Sequence, residues 1–207
     1  MKKSILALLL AVLMVASLLP AAALADGPAE NYVAAYTNSQ NVTTYYTTVG
    51  AALSAANAGG GGKIELLKNA ELKASDTTSD SDKKEYPSFG WCVYVRANLI
   101  LDLGDNTLTC GEFFGLAVNP NVKFTLQNGT YKHSSTGWCT AIEGTKSDDD
   151  GPGCTITIAS NAIVETNGDA VVCDGYTTVY VYGKIYSEKN GIYGMGPNNI
   201  VNVNGAY

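Results

Sequence analysis

The chain has 207 residues, with 13 lysines and arginines against 19 aspartates and glutamates, and carries a formal charge of −6. An acidic chain without a basic cluster excludes binding to nucleic acid through phosphate neutralisation, and a single histidine, His133, argues against a zinc centre built on imidazoles. The length suits one domain.

The first 25 residues do not read as part of a fold. Lys2 and Lys3 precede an unbroken apolar run from Ile5 to Leu19, followed by Pro20 and the small-x-small triplet Ala23-Leu24-Ala25. That is the layout of a cleaved secretory signal. A run of about 15 residues is shorter than the ~20 that span a bilayer, which argues against an uncleaved anchor. The sequence therefore predicts a signal peptide over residues 1–25, a secreted or cell-surface location, and no membrane span after cleavage. Losing Lys2 and Lys3 takes the charge from −6 to −8. Cys92, Cys110, Cys139, Cys154 and Cys173 follow this export signal. Oxidising compartments favour disulfides, but the number is odd and no C-x-x-C occurs. Their prevailing reading is as small buried apolar side chains, with the connectivity of any disulfides left open.

Residues 26–46 form an N-terminal segment with no assigned element. In "TTVGAALSAANAGGGG", Thr47 to Gly62, a threonine stands where an N-cap belongs and Val49, Ala52, Leu53 and Ala56 recur at helical spacing. Four glycines end the pattern. "KIELL" then reads as the first strand, and "SDTTSDSDKKEYPS", residues 75–88, as a loop without apolar periodicity.

From Leu101 onward the chain repeats itself. Short strands anchored at Leu101, Phe124, Ile156, Val179 and Val201 follow one another at steps of 23, 32, 23 and 22 residues. Shortly after each anchor comes turn chemistry, as in Asp105-Asn106, Asn128-Gly129 and Ser160-Asn161. Beyond each turn an apolar residue returns, at Leu108, Tyr131, Ile163 and Tyr186. A second column, Val95, Val118, Ile142, Val172 and Ile192, runs at steps of 23, 24, 30 and 20. Both columns lengthen in the same repeat, which places an insertion between Ile142 and Ile156, around "GTKSDDDGPG".

Three short strands per repeat with no helix between them predict an all-β chain: a right-handed parallel β-helix, a solenoid of about five to six coils. The short N-terminal helix would cap it over residues 47–207. Stacked coils rise ~4.8 Å each and pair backbone with backbone. A sandwich would also supply short alternating strands, but its hairpins do not keep two columns in step at this period. The chain stops at "VNVNGAY" just after an anchor strand, so the native protein is expected to continue past residue 207.

The succession of a helix, "KIELL", "LILDLGDNTLT", "VKFTLQNGTY" and "VYVYGKIY" resembles the secreted bacterial right-handed β-helix proteins of the pectate-lyase-like superfold, and among them the uncharacterised, adhesin-like surface proteins. The resemblance covers roughly Tyr45 to Tyr207. It implies a fold and not a reaction, because that superfold carries lyases, hydrolases, adhesins and spacers. The lyases of the family work with a basic residue beside a carboxylate cluster that holds Ca²⁺, and Arg96 is the only arginine in the chain.

Candidate sites follow from the stacking. Nine residues past each anchor stand Cys110, His133, Glu165 and Glu188, a vertical column in which a histidine next to a carboxylate could transfer protons. The alternative is a solvated edge of long polar side chains. Asp80 and Asp82 in the first loop, and Asp148, Asp149 and Asp150 in the insertion, are candidate Ca²⁺ ligands; solvated acidic loops are the alternative, because the calcium-loop spacing fails at Lys146. No other cofactor is implied. In "VYVYGKIY", Val179 and Val181 point inward, so Tyr180 and Tyr182 point out and offer flat rings for sugars or a partner, although tyrosine also favours strands for its own sake. The sequence predicts a secreted or surface-displayed module that binds glycans or cell surfaces without catalysis of its own. The alternatives are the N-terminal part of a lyase or glycoside hydrolase acting on acidic polysaccharide, and a rigid stalk.

Overall fold

The computed structural model describes residues 30–86, 90–111, 114–134, 140–146 and 151–204. The signal segment over 1–25, Cys139 and Asp148–Asp150 lie outside the described residues. The chain divides into Met1–Asn31 and Tyr32–Tyr207, and every element below belongs to the second unit.

That unit is mostly β, with parallel sheets. It opens on a hairpin, β1 (Ala34–Asn38) and β2 (Thr43–Tyr46), followed by α1 (Val49–Ala58). The helix starts where Thr48 Oγ1 accepts the Ala51 N–H at 3.2 Å, and it buries Val49, Ala52, Leu53 and Ala56. These residues join the core against β3 (Gly62–Leu66) and β4 (Ala70–Leu72). Thus the helix arises as its cap and apolar spacing predict. "KIELL" is not the first strand, because β1 precedes it and pairs with it antiparallel, Tyr36 opposite Ile64.

Residues 75–88 depart from the expected loop. Two 3₁₀ turns, Ala74–Asp76 and Asp80–Asp82, lead into β5 (Lys83–Tyr86), which pairs antiparallel with β6 (Gly90–Val95). A strand reading Lys-Lys-Glu-Tyr has no apolar face to betray it in sequence. It is the outermost strand of its sheet.

The remaining strands come in threes: β7 (Leu99–Asp102), β8 (Thr107–Cys110) and β9 (Phe114–Val118); β10 (Lys123–Gln127), β11 (Gly129–His133) and β12 (Thr140–Gly144); β13 (Thr155–Ile158), β14 (Ala162–Thr166) and β15 (Asp169–Asp174); β16 (Thr178–Val181), β17 (Lys184–Ser187) and β18 (Ile192–Met195); and finally β19 (Ile200–Val203). Every third strand joins the same sheet. The first sheet runs β2-β1-β3-β7-β10-β13-β16-β19, the second β4-β8-β11-β14-β17 and the third β5-β6-β9-β12-β15-β18. From β7 to β16 each strand thus pairs in parallel with the strand one tier below and one tier above it, and β17, β18 and β19 end their sheets. Inward residues of all three sheets meet in one apolar core containing Leu101, Leu108, Leu116, Phe124, Tyr131, Ile142, Ile156, Val164, Val171 and Val179. Fully burying one such aliphatic side chain is worth about 1.5–3 kcal/mol. Tyr131 tolerates complete burial because its hydroxyl donates to the Ala141 carbonyl at 3.2 Å.

The register differs from the sequence columns in three places. Leu101 pairs with Leu126, not Phe124, which lies opposite Leu99. Leu116 and Val171, not Val118 and Val172, lie level with Ile142. In the second sheet Val164 and Ile185 occupy the inward column, while Ile163 and Tyr186 face out. A slip of two leaves the inward–outward alternation intact, so no pattern can detect it. The slip of one in the third sheet falls where the run Val171-Val172-Cys173 is buried throughout. The insertion is where the two lengthening columns placed it, between β12 and β13. In the last tier Val201 is 45% exposed, whereas Val179 below it is fully buried.

The stretch Leu101–Cys110 shows why a strand stops and restarts. Gly104 takes a left-handed φ of +57° at the corner, and Asp102 knits the corner together. Its carboxylate accepts the Gly104 N–H at 3.1 Å, Asn128 Nδ2 at 2.7 Å and Gln127 Nε2 at 2.9 Å, and faces Lys63 Nζ at 2.7 Å. Burial opposes ionisation of Asp102, but the hydrogen bonds from Lys63, Asn128, Gln127 and the Gly104 N–H outweigh it and hold its pKa at about 2, below the ordinary 3.8. A carboxylate more acidic folded than unfolded contributes stability above its unfolded pKa and loses it as the pH falls through the folded value. Stability is therefore expected to decline between about pH 4 and pH 2. Asp102→Asn should flatten this acid limb in urea titrations at stepped pH; an unchanged limb would refute the assignment.

Candidate functional site

Two columns of the second sheet carry the predicted catalytic residues, and they face opposite ways. Inward stand Cys110, His133, Thr166 and Ser187; outward stand Thr109, Lys132, Glu165 and Tyr186. His133 therefore shares its level with Thr166, one residue away from the expected Glu165. Successive residues of a strand point to opposite faces, so the single-residue slip moves the carboxylate from the histidine's side of the sheet to the outside. Glu165 lies beside Lys132 instead, with Nζ 3.8 Å from Oε2. An exposed pair of this kind contributes roughly 0.2–1 kcal/mol.

The predicted residues nevertheless meet at one place. A groove of about 450 Å³ runs along the end of this sheet, lined by Lys132, Glu165, Tyr186 and Glu188, with His133 and Thr166 at its floor. His133 is 1% exposed. Glu188 follows β17, and its backbone N–H donates to the Thr166 carbonyl at 3.1 Å. The groove thus combines an exposed aromatic ring, two carboxylates and an ammonium.

On the first sheet Tyr180 and Tyr182 project outward as expected from β16 and its end. Their ring planes are parallel within 2° and their centroids 6.4 Å apart. Tyr180 stands in an outward row with Ile100, Thr125, Thr157 and Asn202, one residue from each tier. Comparison with protein-family models, with curated proteins and with solved structures gives no match for this chain.

The aspartates proposed for calcium turn to basic and amide partners. Asp82 accepts Asn57 Nδ2 at 2.9 Å and lies 3.6 Å from Arg96 Nε, and Asp80 pairs with Lys83 at 3.1 Å. Among the described residues no group of three or more His, Cys, Asp or Glu is arranged to hold a metal ion. Cys92, Cys110, Cys154 and Cys173 are all buried. Burial pushes the Cys154 thiol up to about 11, helped by nearby Cys173 and opposed by Thr177, and burial does the same to Cys173. Among the described residues no helix is long and apolar enough to cross a membrane.

Sequence patterning passed over a second groove, of about 560 Å³, where the β1–β2 turn overhangs the outer face of β3, β7 and β10. Asn38, Asn41, Asn98 and Lys123 line it. They come from distant parts of the chain and carry no periodic signal, and the β1–β2 hairpin that forms one wall was itself unassigned.

Proposed function

We propose that the chain is an exported, right-handed parallel β-helix protein of the pectate-lyase-like superfold type, secreted or held at the cell surface, that binds glycans without catalysis of its own. The pairing of every third strand in parallel, at a period near that of the sequence repeat, supports the architecture. The observation that carries the binding role is the parallel pair Tyr180 and Tyr182 on an outer face that continues tier after tier. Rigid strands hold such rings at little conformational cost, and their flat faces suit sugar rings while the phenols hydrogen-bond at the margins. A sheet face of this kind matches an extended polymer better than a compact small molecule.

The enzymatic reading draws on Glu165 and Glu188 lining one groove, since paired carboxylates are the machinery of glycoside hydrolysis. Against it, Glu165 is engaged by Lys132, and His133 belongs to the interior column. A glycan array followed by calorimetry is expected to find a neutral or acidic oligosaccharide whose affinity falls roughly tenfold or more in Tyr180→Ala/Tyr182→Ala, the scale of losing an aromatic contact. No new reducing ends should appear on incubation with any bound glycan. Reducing ends lost in Glu165→Gln would favour the hydrolase, and an array without hits would leave a structural stalk.

A further inference from the structure

We infer that the groove beneath the β1–β2 turn is a binding site for a polyhydroxyl chain bearing an oxyanion: carboxylate, phosphate or sulfate. This rests on the glycan-binding role proposed above and adds a second subsite and its charge class. The floor is one register row of the first sheet, Lys63, Ile100 and Thr125, with Lys123 level with Asn98 beside it. Ile100 is 40% exposed and forms the apolar patch on which a sugar ring could rest. The wall is the hairpin turn carrying Asn38 and Asn41. The volume, about 560 Å³, lies within the range of small-ligand sites.

The accounting of donors and acceptors decides the ligand's chemistry. Asn38 Oδ1 already accepts the N–H groups of Gln40 at 2.9 Å and Val42 at 3.0 Å. Asn98 Oδ1 accepts the Lys123 N–H at 2.8 Å. Each amide is thereby oriented with its oxygen occupied, leaving the Nδ2 protons to a ligand. Glu65, the carboxylate at the groove, is paired to Lys63 at 3.1 Å, and Lys63 is also held by Asp102 at 2.7 Å. Lys123 makes no ion pair among the described residues and is exposed. The groove therefore presents oriented donors and one uncommitted ammonium around an apolar floor. A complementary ligand supplies acceptors, and a negative charge at Lys123 makes the strongest of the available hydrogen bonds.

Calorimetry on the full chain with oligogalacturonate, a glycerol-phosphate oligomer and sulfated dextran, each against a neutral oligosaccharide, tests this and separates the three oxyanions. At least one acidic oligomer should bind more tightly than the neutral ones. Lys123→Gln should weaken it roughly tenfold or more, and Lys123→Glu further. Tyr180→Ala/Tyr182→Ala should leave preference for the acidic form over its neutral counterpart in place. Lys123 is exposed, so circular dichroism of both variants should match the wild type. Equal affinity for acidic and neutral oligomers, or indifference to Lys123→Gln, would overturn the site while leaving tyrosine-dependent glycan binding intact. Failure to bind any glycan would overturn the proposed function as well.

Discussion

Replacing Phe124 with alanine is expected to cost about 3–5 kcal/mol of folding stability. Phe124 is fully buried, and its level in the first sheet continues through Leu99 below it and Ile156 and Val179 above. Truncation removes the transfer free energy of the ring and leaves a cavity. Its walls are strands pinned by backbone hydrogen bonds on both sides, so they can collapse only partly. A loss of that size is a large share of the 5–15 kcal/mol typical of a folded domain. Phe124→Leu, which keeps most of the volume, should cost about 1–2 kcal/mol. Urea unfolding measures both: the midpoint should fall while the slope stays constant. A Phe124→Ala midpoint equal to that of the wild type would mean the side chain does not lie in the core.

Gly129→Ala tests the corners as Phe124→Ala tests the interior. Gly129 opens β11 with a φ of +70°, a region that L residues other than asparagine and aspartate enter at a cost of about 1–2 kcal/mol. A methyl group there would also overlap the Asn106 carbonyl oxygen and come within 2.7 Å of the Gly104 oxygen, both backbone atoms of the corner one tier below. Neither can swing away as a side chain could, because the Asn106 oxygen accepts the Thr130 N–H at 3.0 Å. The expected loss is about 3 kcal/mol or more, the sum of conformational strain and a displaced tier contact. Gly60→Ala isolates the two effects. Gly60 has a similar φ of +78°, but nothing lies within 4 Å of the added methyl, so its cost should stay near about 1 kcal/mol. Equal melting temperatures for the two variants would show that the corners are not packed tier upon tier.

Both tests bear on what could be read in advance. Many inward positions follow from local alternation: Leu101, Leu108, Phe124, Tyr131, Ile156 and Val179 are all core residues, whereas Ile163 and Tyr186 of the same series face out. The helix follows from Thr48 and the apolar spacing after it, and the insertion follows from two columns lengthening together. These features depend on neighbours a few residues apart, where a period of two or of 3.6 suffices. The outward orientation of Tyr180 and Tyr182 comes from the same rule.

The candidate sites were less legible. Pairing His133 with Glu165 required counting across a tier 33 residues long, and a single-residue error exchanged inside for outside. The donor-lined groove required knowing that the β1–β2 hairpin pairs along the edge of β3, which brings Asn38 and Asn41 near Asn98 and Lys123.

The sequence by itself determined inward positions such as Leu101, Phe124, Ile156 and Val179, where the helix begins and where the extra residues enter, because strand alternation and helix capping are properties of adjacent residues. Only the tertiary structure decided the register between tiers, the pairing of Glu165 with Lys132 and the assembly of the two grooves. Those depend on how corners such as Asp102–Asn106 offset one tier against the next, and on contacts between residues distant in the chain. A shift of two residues leaves the pattern of alternation unchanged while altering every neighbour across the tier.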